Sequence, residues 1–178
     1  MRIDPQPEPP VALPSNSRRL RLFAIALIIT ATVVVVDQAT KALALHQLSE
    51  QSRVPLLGDL LGLQLAFNAG TIMSFGSGST WVFTLLATLA MPVAFIAATR
   101  VRSAGWAVVV GLLWGGAMGN LIDRLSAAPG FGVGYVTDFL AYGDVFIGNL
   151  ADVALGAGII LGALLAWRSS RTPRTETR

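Results

Sequence analysis

Four long apolar stretches constrain this chain more than any other feature. Three of them, residues 81–99, 104–122 and 149–167, carry almost no charge inside them. A fourth begins with the apolar run 22–36 and continues through Asp37-Gln-Ala-Thr-Lys41 to residue 45. As an α-helix, a segment of about 19 residues rises ~28 Å, close to the thickness of a bilayer's hydrocarbon core. In that core only a helix or a closed barrel satisfies its own backbone, and runs of this length and continuity select the helix. Only 13% of the residues are charged, and the mean hydropathy is +0.64; an ordinary soluble domain carries roughly a quarter charged residues. The sequence therefore predicts an all-α membrane protein with four transmembrane helices. The connections are short, and 178 residues leave no room for a separate soluble domain.

Charge gives the orientation. Arg2, Arg18, Arg19, Arg21, Arg100, Arg102, Arg168, Arg171, Arg174 and Arg178 are ten of the 13 Lys/Arg residues and fall on one side of the four spans. Lys41, Arg53 and Arg124 fall on the other. The positive-inside rule makes the first side cytoplasmic and places both termini there. Residues 1–17, with five of the nine prolines, are expected to be a disordered cytoplasmic tail, since such a composition buries too little apolar surface to fold. The membrane domain is expected over 18–168, followed by a basic cytoplasmic tail, 169–178. The first span also resembles a cleaved signal peptide, with its basic start and the Ala42-Leu43-Ala44 triplet. Asp37 and Lys41 interrupt the approach to that triplet and three further spans follow, so a retained span is expected. On the outer side, residues 46–80 contain Leu63-Gln-Leu-Ala-Phe67, whose alternation suits a short strand, and Asn68-Ala-Gly70 as a turn. A small extracytoplasmic region containing β structure is thus expected.

Composition also narrows the chemistry. There are no cysteines and one histidine, His46, which removes disulfides, thiol nucleophiles and His- or Cys-rich metal sites. No metal or organic cofactor is expected. The net charge of +3 arises from residues flanking apolar runs, not from a basic stripe with interleaved aromatics, so no nucleic-acid partner is expected. A Ser/His/Asp triad would depend on His46, and no Gly-x-Ser-x-Gly elbow is present. A Ser/Lys dyad would depend on Lys41, the only lysine. Carboxylates remain, and Asp37, Glu50, Asp59, Asp123, Asp138, Asp144 and Asp152 all lie at outer span ends or in outer loops.

Each candidate has a structural reading beside a chemical one. Asp37 and Lys41, four apart, form a favourable helical ion pair. Asn120 and Arg124 share a face at the outer end of the third span, after Gly115, Gly116 and Gly119, which permit close helix approach. Asn149-Leu-Ala-Asp152 resembles a helix-capping box. It would equally supply one member of a two-carboxylate site, in which one acid activates water while its protonated partner serves the leaving group. Residue chemistry leaves Asp123, Asp138 and Asp144 all open as Asp152's partner.

Taken in order, Asp37-Gln-x-Thr-Lys41, Asn68-x-Gly70, Gly115-Gly-x-x-Gly-Asn120-x-x-Asp-Arg124, Val136-x-Asp138-Phe139 and Asn149-x-Ala-Asp152 resemble the lipoprotein signal peptidase family, also called signal peptidase II. The resemblance spans residues 20–167. It implies an intramembrane aspartic peptidase with Asp138 and Asp152 as its catalytic dyad, and with Asp37, Lys41, Asn68, Gly70, Gly116, Asn120, Arg124 and Asn149 lining or bracing the site. Asp123 would be secondary. The implied substrates are prolipoproteins cut just before a cysteine that already carries diacylglycerol. The implied setting is the bacterial cytoplasmic membrane, with the site near its outer face, the protein a monomer and membrane lipids as surroundings. The chain departs from the family pattern at Thr71-Ile72-Met73 and at Gly148. A proton-coupled transporter using the same acids as a relay, or a catalytically silent relative acting in binding or assembly, are the competing classes.

The charge partition makes a direct prediction. Reporter fusions or cysteine-accessibility labelling are expected to place residue 101 on the cytoplasmic side and residue 138 outside; the opposite result at either position overturns the topology.

Overall fold

A computed structural model describes residues 16–70 and 79–171. The four helices are α1 (Asn16–Gln47), α2 (Thr80–Arg100), α3 (Ala104–Ser126) and α4 (Leu150–Arg171). All four are long and apolar enough to cross a membrane. Asn16 and Ser17, which composition assigns to the tail, are helical. Thr71-Ile72-Met73 and most of both tails lie outside the described residues.

The third span is the centre of the bundle, and the sequence shows why. Each of the other helices packs on α3, whose buried residues include Gly111, Gly115, Gly116 and Gly119. Small residues let helix backbones approach closely, the main attractive device in a solvent as apolar as the side chains. A β-carbon at Gly116 would come within 2.6 Å of the Ala151 carbonyl oxygen on α4, and one at Gly119 within 2.5 Å of the Asp37 carboxylate on α1. These two glycines thus bring three helices together at one level. On α1 the buried residues Leu22, Ala26, Thr30, Asp37, Lys41 and Ala44 form a stripe at helical spacing; the other faces expose Ile28, Val35 and Leu43, as lipid contact requires. Both α2 and α4 pack on α3, while direct contact between them is sparse among the described residues.

The region at the sheet-bearing end of the bundle has more regular structure than the sequence suggests. A four-stranded antiparallel sheet, in the order β1-β2-β3-β4, is built from Val54–Leu57, Leu61–Asn68, Val136–Tyr142 and Phe146–Gly148. The strand expected at 63–67 is the core of β2; the other three are additions. β3 is almost wholly buried, so its run Val136-Thr-Asp-Phe-Leu-Ala-Tyr142 lacks the polar/apolar alternation by which a half-exposed strand is recognised. Pairing of β2 with β3 sets Ala66 opposite Asp138 and Asn68 opposite Val136. Arg53 ties the distal end together, donating to the carbonyls of Asp59 and Gly143, each at 3.0 Å, and pairing with Asp144 at 3.3 Å. Ala44, Leu65 and Phe139 form the small core that seats the sheet on α1.

The helix contacts predict that Gly116→Val lowers thermal stability in detergent by about 1–3 kcal/mol, as overpacking of a tight contact does. A β-carbon at Gly156 meets nothing within 4 Å, so Gly156→Ala is expected to leave the melting temperature near the parental value. Equal melting temperatures for the two variants would contradict the packing described.

Candidate active site

At the end of the bundle that carries the sheet, a lysine is buried among acids. Lys41 Nζ, on a side chain 4% exposed, lies 2.8 Å from Asp37 Oδ2 and 3.0 Å from Asp123 Oδ2, and donates to Asn120 Oδ1 at 3.1 Å. An ammonium has three protons, and these three acceptors use them. The acids are held in turn by groups from other elements. Asp37 Oδ1 accepts the Ala151 amide of α4 at 2.9 Å, and Asp123 Oδ2 accepts the Thr137 amide of β3 at 3.0 Å. Gln38 Nε2 bridges the pair, 3.2 Å from Asp37 Oδ2 and 3.0 Å from Asp123 Oδ1. The expected helical ion pair is therefore present, as part of a larger cluster that joins α1, α3, α4 and β3.

Directly beside this cluster stand Asp138 and Asp152. β3 presents Asp138, which is 2% exposed; its Oδ1 accepts from Asn149 Nδ2 at 2.6 Å and its Oδ2 from Asn68 Nδ2 at 3.1 Å. Asp152, in the first turn of α4, receives Asn120 Nδ2 on Oδ1 at 2.8 Å and the Asn149 amide on Oδ2 at 3.2 Å. The Asp152 amide returns a bond to Asn149 Oδ1 at 3.0 Å. The reciprocal Asn149/Asp152 pair is a capping box, and it also links the two aspartates, because the Asn149 side chain reaches Asp138. The capping reading of this motif is present, and the same Asn149 side chain brings Asp152 next to Asp138.

These two carboxyl groups wall one cavity of about 500 Å³ with Asn68, Gly70, Asn120 and Arg124. Its remaining wall is apolar: Phe83 from α2, Leu155, Gly156 and Ile159 from α4, and Phe146 and Ile147 from β4. On this wall Ile159 is also exposed on the surface of the bundle. The Asp138 carboxyl is pushed up from its ordinary 3.8 to about 7. Burial is the largest cause and the neighbouring Asp152 charge the next; hydrogen bonds from Asn68 and Asn149, with the charge on Lys41, pull the other way. Two carboxyls so placed can hold a single proton near neutrality, the state needed to activate water and protonate a leaving group.

Asp138, Asp152, Asn68, Gly70, Asn120 and Arg124 meet at the cavity, while Asn149 is fully buried behind it. Arg124 donates through one terminal nitrogen to the Gly70 carbonyl. Its other terminal nitrogen is buried and has no hydrogen-bond partner among the described residues. Gly70 contributes main chain alone, its amide donating to Asn68 Oδ1 at 3.0 Å. Asp37 and Lys41 brace from α1, and Gly116 braces by contact with α4. Asp123 is a full member of the Lys41 cluster, and Asp144 is an exposed turn residue paired with Arg53. Sequence reasoning missed Gln38; an amide beside an acid in an otherwise apolar span was the available signal. It also missed the cavity walls Phe83, Leu155 and Ile159, which look like any lipid-facing residue.

Comparison with known proteins gives the family. Over residues 29–168 the chain matches the family model for signal peptidase (SPase) II. It is 44% identical to a lipoprotein signal peptidase of Leifsonia xyli subsp. xyli, covering 88% of this chain and 75% of that one. With the lipoprotein signal peptidase of Mycobacterium avium it shares 41% identity over 91% of this chain and 84% of the relative. A solved bacterial membrane enzyme, 23% identical, superposes with a TM-score of 0.75 over 86% of this chain and 94% of its own, a likeness of fold. Sequence match over most of the length, a shared four-span fold and a two-aspartate cavity at one end of the bundle lead to one conclusion: the chain belongs to the signal peptidase II family.

Proposed function

We propose that the protein is a membrane aspartic endopeptidase that removes signal peptides from diacylglyceryl-modified prolipoproteins, cutting before the lipidated cysteine, with Asp138 and Asp152 as its catalytic residues. The observation that carries this reading is the single cavity walled by both aspartates on one side and by Phe83, Leu155, Gly156 and Ile159 on the other. A scissile peptide needs the polar wall; a signal helix and acyl chains arriving from lipid need the apolar one. One carboxylate takes a proton from water as its oxygen attacks the scissile carbonyl carbon, while the protonated partner hydrogen-bonds the carbonyl oxygen and transfers its proton there. The resulting gem-diol collapses: the C–N bond breaks, the amine nitrogen takes the first aspartate's proton, and the diol returns one to the second. Arg124, whose side chain lines the same cavity, supplies positive charge beside the reacting carbonyl.

The same reading sets the site near the outer face of the bacterial cytoplasmic membrane, with both termini inside and one chain sufficient for the reaction. The buried ionisable side chains, Asp37, Lys41, Asp123, Arg124 and Asp138, cluster at that one end. A proton relay through the bundle would need such groups along the spans, and no observation favours it.

Asp138→Asn and Asp152→Asn are each expected to reduce cleavage of a diacylglyceryl-modified precursor by about 10²–10⁴-fold or more, at matched levels of folded protein. The double variant should be little worse than either single one, because the two act as a unit. Asp144→Asn should cleave normally. Near-parental turnover by either amide variant would eliminate the dyad.

The pH dependence follows from Asp138. With its carboxyl pushed up to about 7, the proton that the pair needs is lost as pH rises through that value, so kcat/KM should fall on the alkaline side near pH 7. Asn68→Ala removes a hydrogen bond that favours the ionised carboxylate, which should move this limb to higher pH. A limb that stays in place, or moves down, would contradict the assignment.

A further inference from the structure

The Asn120 side chain lies between the Lys41 cluster and Asp152, and its contacts leave one orientation for its amide. Its Oδ1 accepts from Lys41 Nζ and from Asn149 Nδ2, both at 3.1 Å, and its Nδ2 donates to Asp152 Oδ1 at 2.8 Å. With the amide turned over, its NH₂ would face an ammonium and a second NH₂, and its oxygen would face a carboxylate. All three contacts would become repulsive. The Asn149 amide is itself fixed independently, because its oxygen receives the Asp152 backbone N–H at 3.0 Å while its nitrogen serves Asp138.

We propose that Lys41, which makes no hydrogen bond to either aspartate, is a positioning residue that sets which of the two carries the shared proton: by locking and polarising the Asn120 amide, it presents Asp152 with a donor and so keeps Asp152 the ionised member. This rests on the reading of Asp138 and Asp152 as the catalytic dyad. Asp152 is then the base that takes the proton from water, and Asp138 is the acid.

Both aspartates accept two hydrogen bonds, so donor count does not separate them. What differs is the source. Asp152 receives a side-chain donor backed by a cation and a backbone N–H at the first turn of α4, where a helix favours negative charge. Asp138 receives two neutral side-chain amides, Asn68 from β2 and Asn149 from the cap of α4, and the Lys41 charge that also reaches it is outweighed by burial and by the Asp152 charge. Its carboxyl, held up near 7 by burial, is the one suited to keep the proton. The charged and titratable groups around Asp152 are Lys41 and Asp37 from α1, Asp123 and Arg124 from α3, and Asp138 and Tyr142 from β3. Of the two cations in this set, Lys41 shares a hydrogen-bonded intermediary with Asp152, the Asn120 amide.

The test is the acid limb of kcat/KM against pH, measured on detergent-purified full-length variants with a lipidated precursor. Asn120→Ala keeps Lys41 paired with Asp37 and Asp123, and is expected to move that limb to higher pH by roughly one unit, the size expected from losing a hydrogen bond to a charged group. Lys41→Met combined with Asp123→Asn removes one positive and one negative charge, leaving the cluster's net charge unchanged, and should move the limb the same way. Should that pair not fold, Lys41→Gln/Asp123→Asn replaces it, keeping a polar partner for Asp37. Adding Asn120→Ala to either pair should move the limb no further than Asn120→Ala alone, since the lysine acts through the amide. A loss of activity at every pH with the limb in place would overturn the proposal in favour of a merely structural role. So would full additivity, which would mean that Lys41 acts through its field and not through Asn120. Failure of the dyad reading itself looks different: it is retained cleavage by Asp138→Asn or Asp152→Asn.

Discussion

An ammonium group on a side chain 4% exposed, at the end of an apolar bundle, is the costliest single object in this protein. Desolvating it is tolerable only if each of its protons has an acceptor and its charge has a counterpart, and Lys41 obtains this from Asp37, Asp123 and Asn120. Those acceptors are not local. Asp37 is one turn away on α1, but Asp123 and Asn120 come from α3, and the two acids are completed by backbone amides of α4 and β3. Losing one partner of such a buried pair leaves an uncompensated charge, at a cost of about 3–5 kcal/mol. Satisfying one lysine therefore fixes the mutual positions of three helices and the central strand of the sheet. Gly116 and Gly119 make this possible sterically, since a side chain at either would collide with α4 or with Asp37.

The two aspartates at the cavity inherit that rigidity. Asp152 is placed by a device that every helix start needs, the capping of its free amides. Asp138 is placed by strand pairing that sets it opposite Ala66, next but one to Asn68 across the ladder. Asn149 joins the two systems, its backbone and oxygen engaged with Asp152 and its nitrogen with Asp138. Helix capping, sheet register and the disposition of the acids are one set of hydrogen bonds, so the pair has no freedom to drift apart without uncapping α4.

The cavity reflects the solvent as much as the chemistry. Among the described residues, α2 and α4 lean on α3 and hardly on each other, and the apolar wall of Phe83, Leu155 and Ile159 reaches the exposed surface of the bundle at Ile159. The sheet supplies the polar side, with Asn68 from β2 and the buried Asp138 from β3, and Phe146 and Ile147 of β4 border it. Burial on that side is also what lifts the Asp138 carboxyl toward neutrality.

Much of this protein was legible before any coordinate. The bilayer reduces the fold problem to finding uninterrupted apolar runs, because a helix satisfies its backbone within its own segment; the four spans and the Asp37/Lys41 pair follow from local spacing alone. The capping box at Asn149 and Asp152 was likewise local, and five ordered motifs carried the resemblance to signal peptidase II. The strands β1, β3 and β4 were not legible: β1 and β4 are only four and three residues long, while β3 is almost wholly buried, has no alternation, and pairs with a strand some 70 residues away, which leaves no local trace. For the same reason residue chemistry left three candidates for Asp152's partner. The resemblance pointed to Asp138, and the tertiary structure shows where each acid lies: Asp123 at the lysine, Asp144 in an exposed turn with Arg53, and Asp138 at the cavity. Spacing along a chain determines what a residue can do within one turn of helix, whereas which acid faces which depends on contacts that exist only once helices and sheet have met.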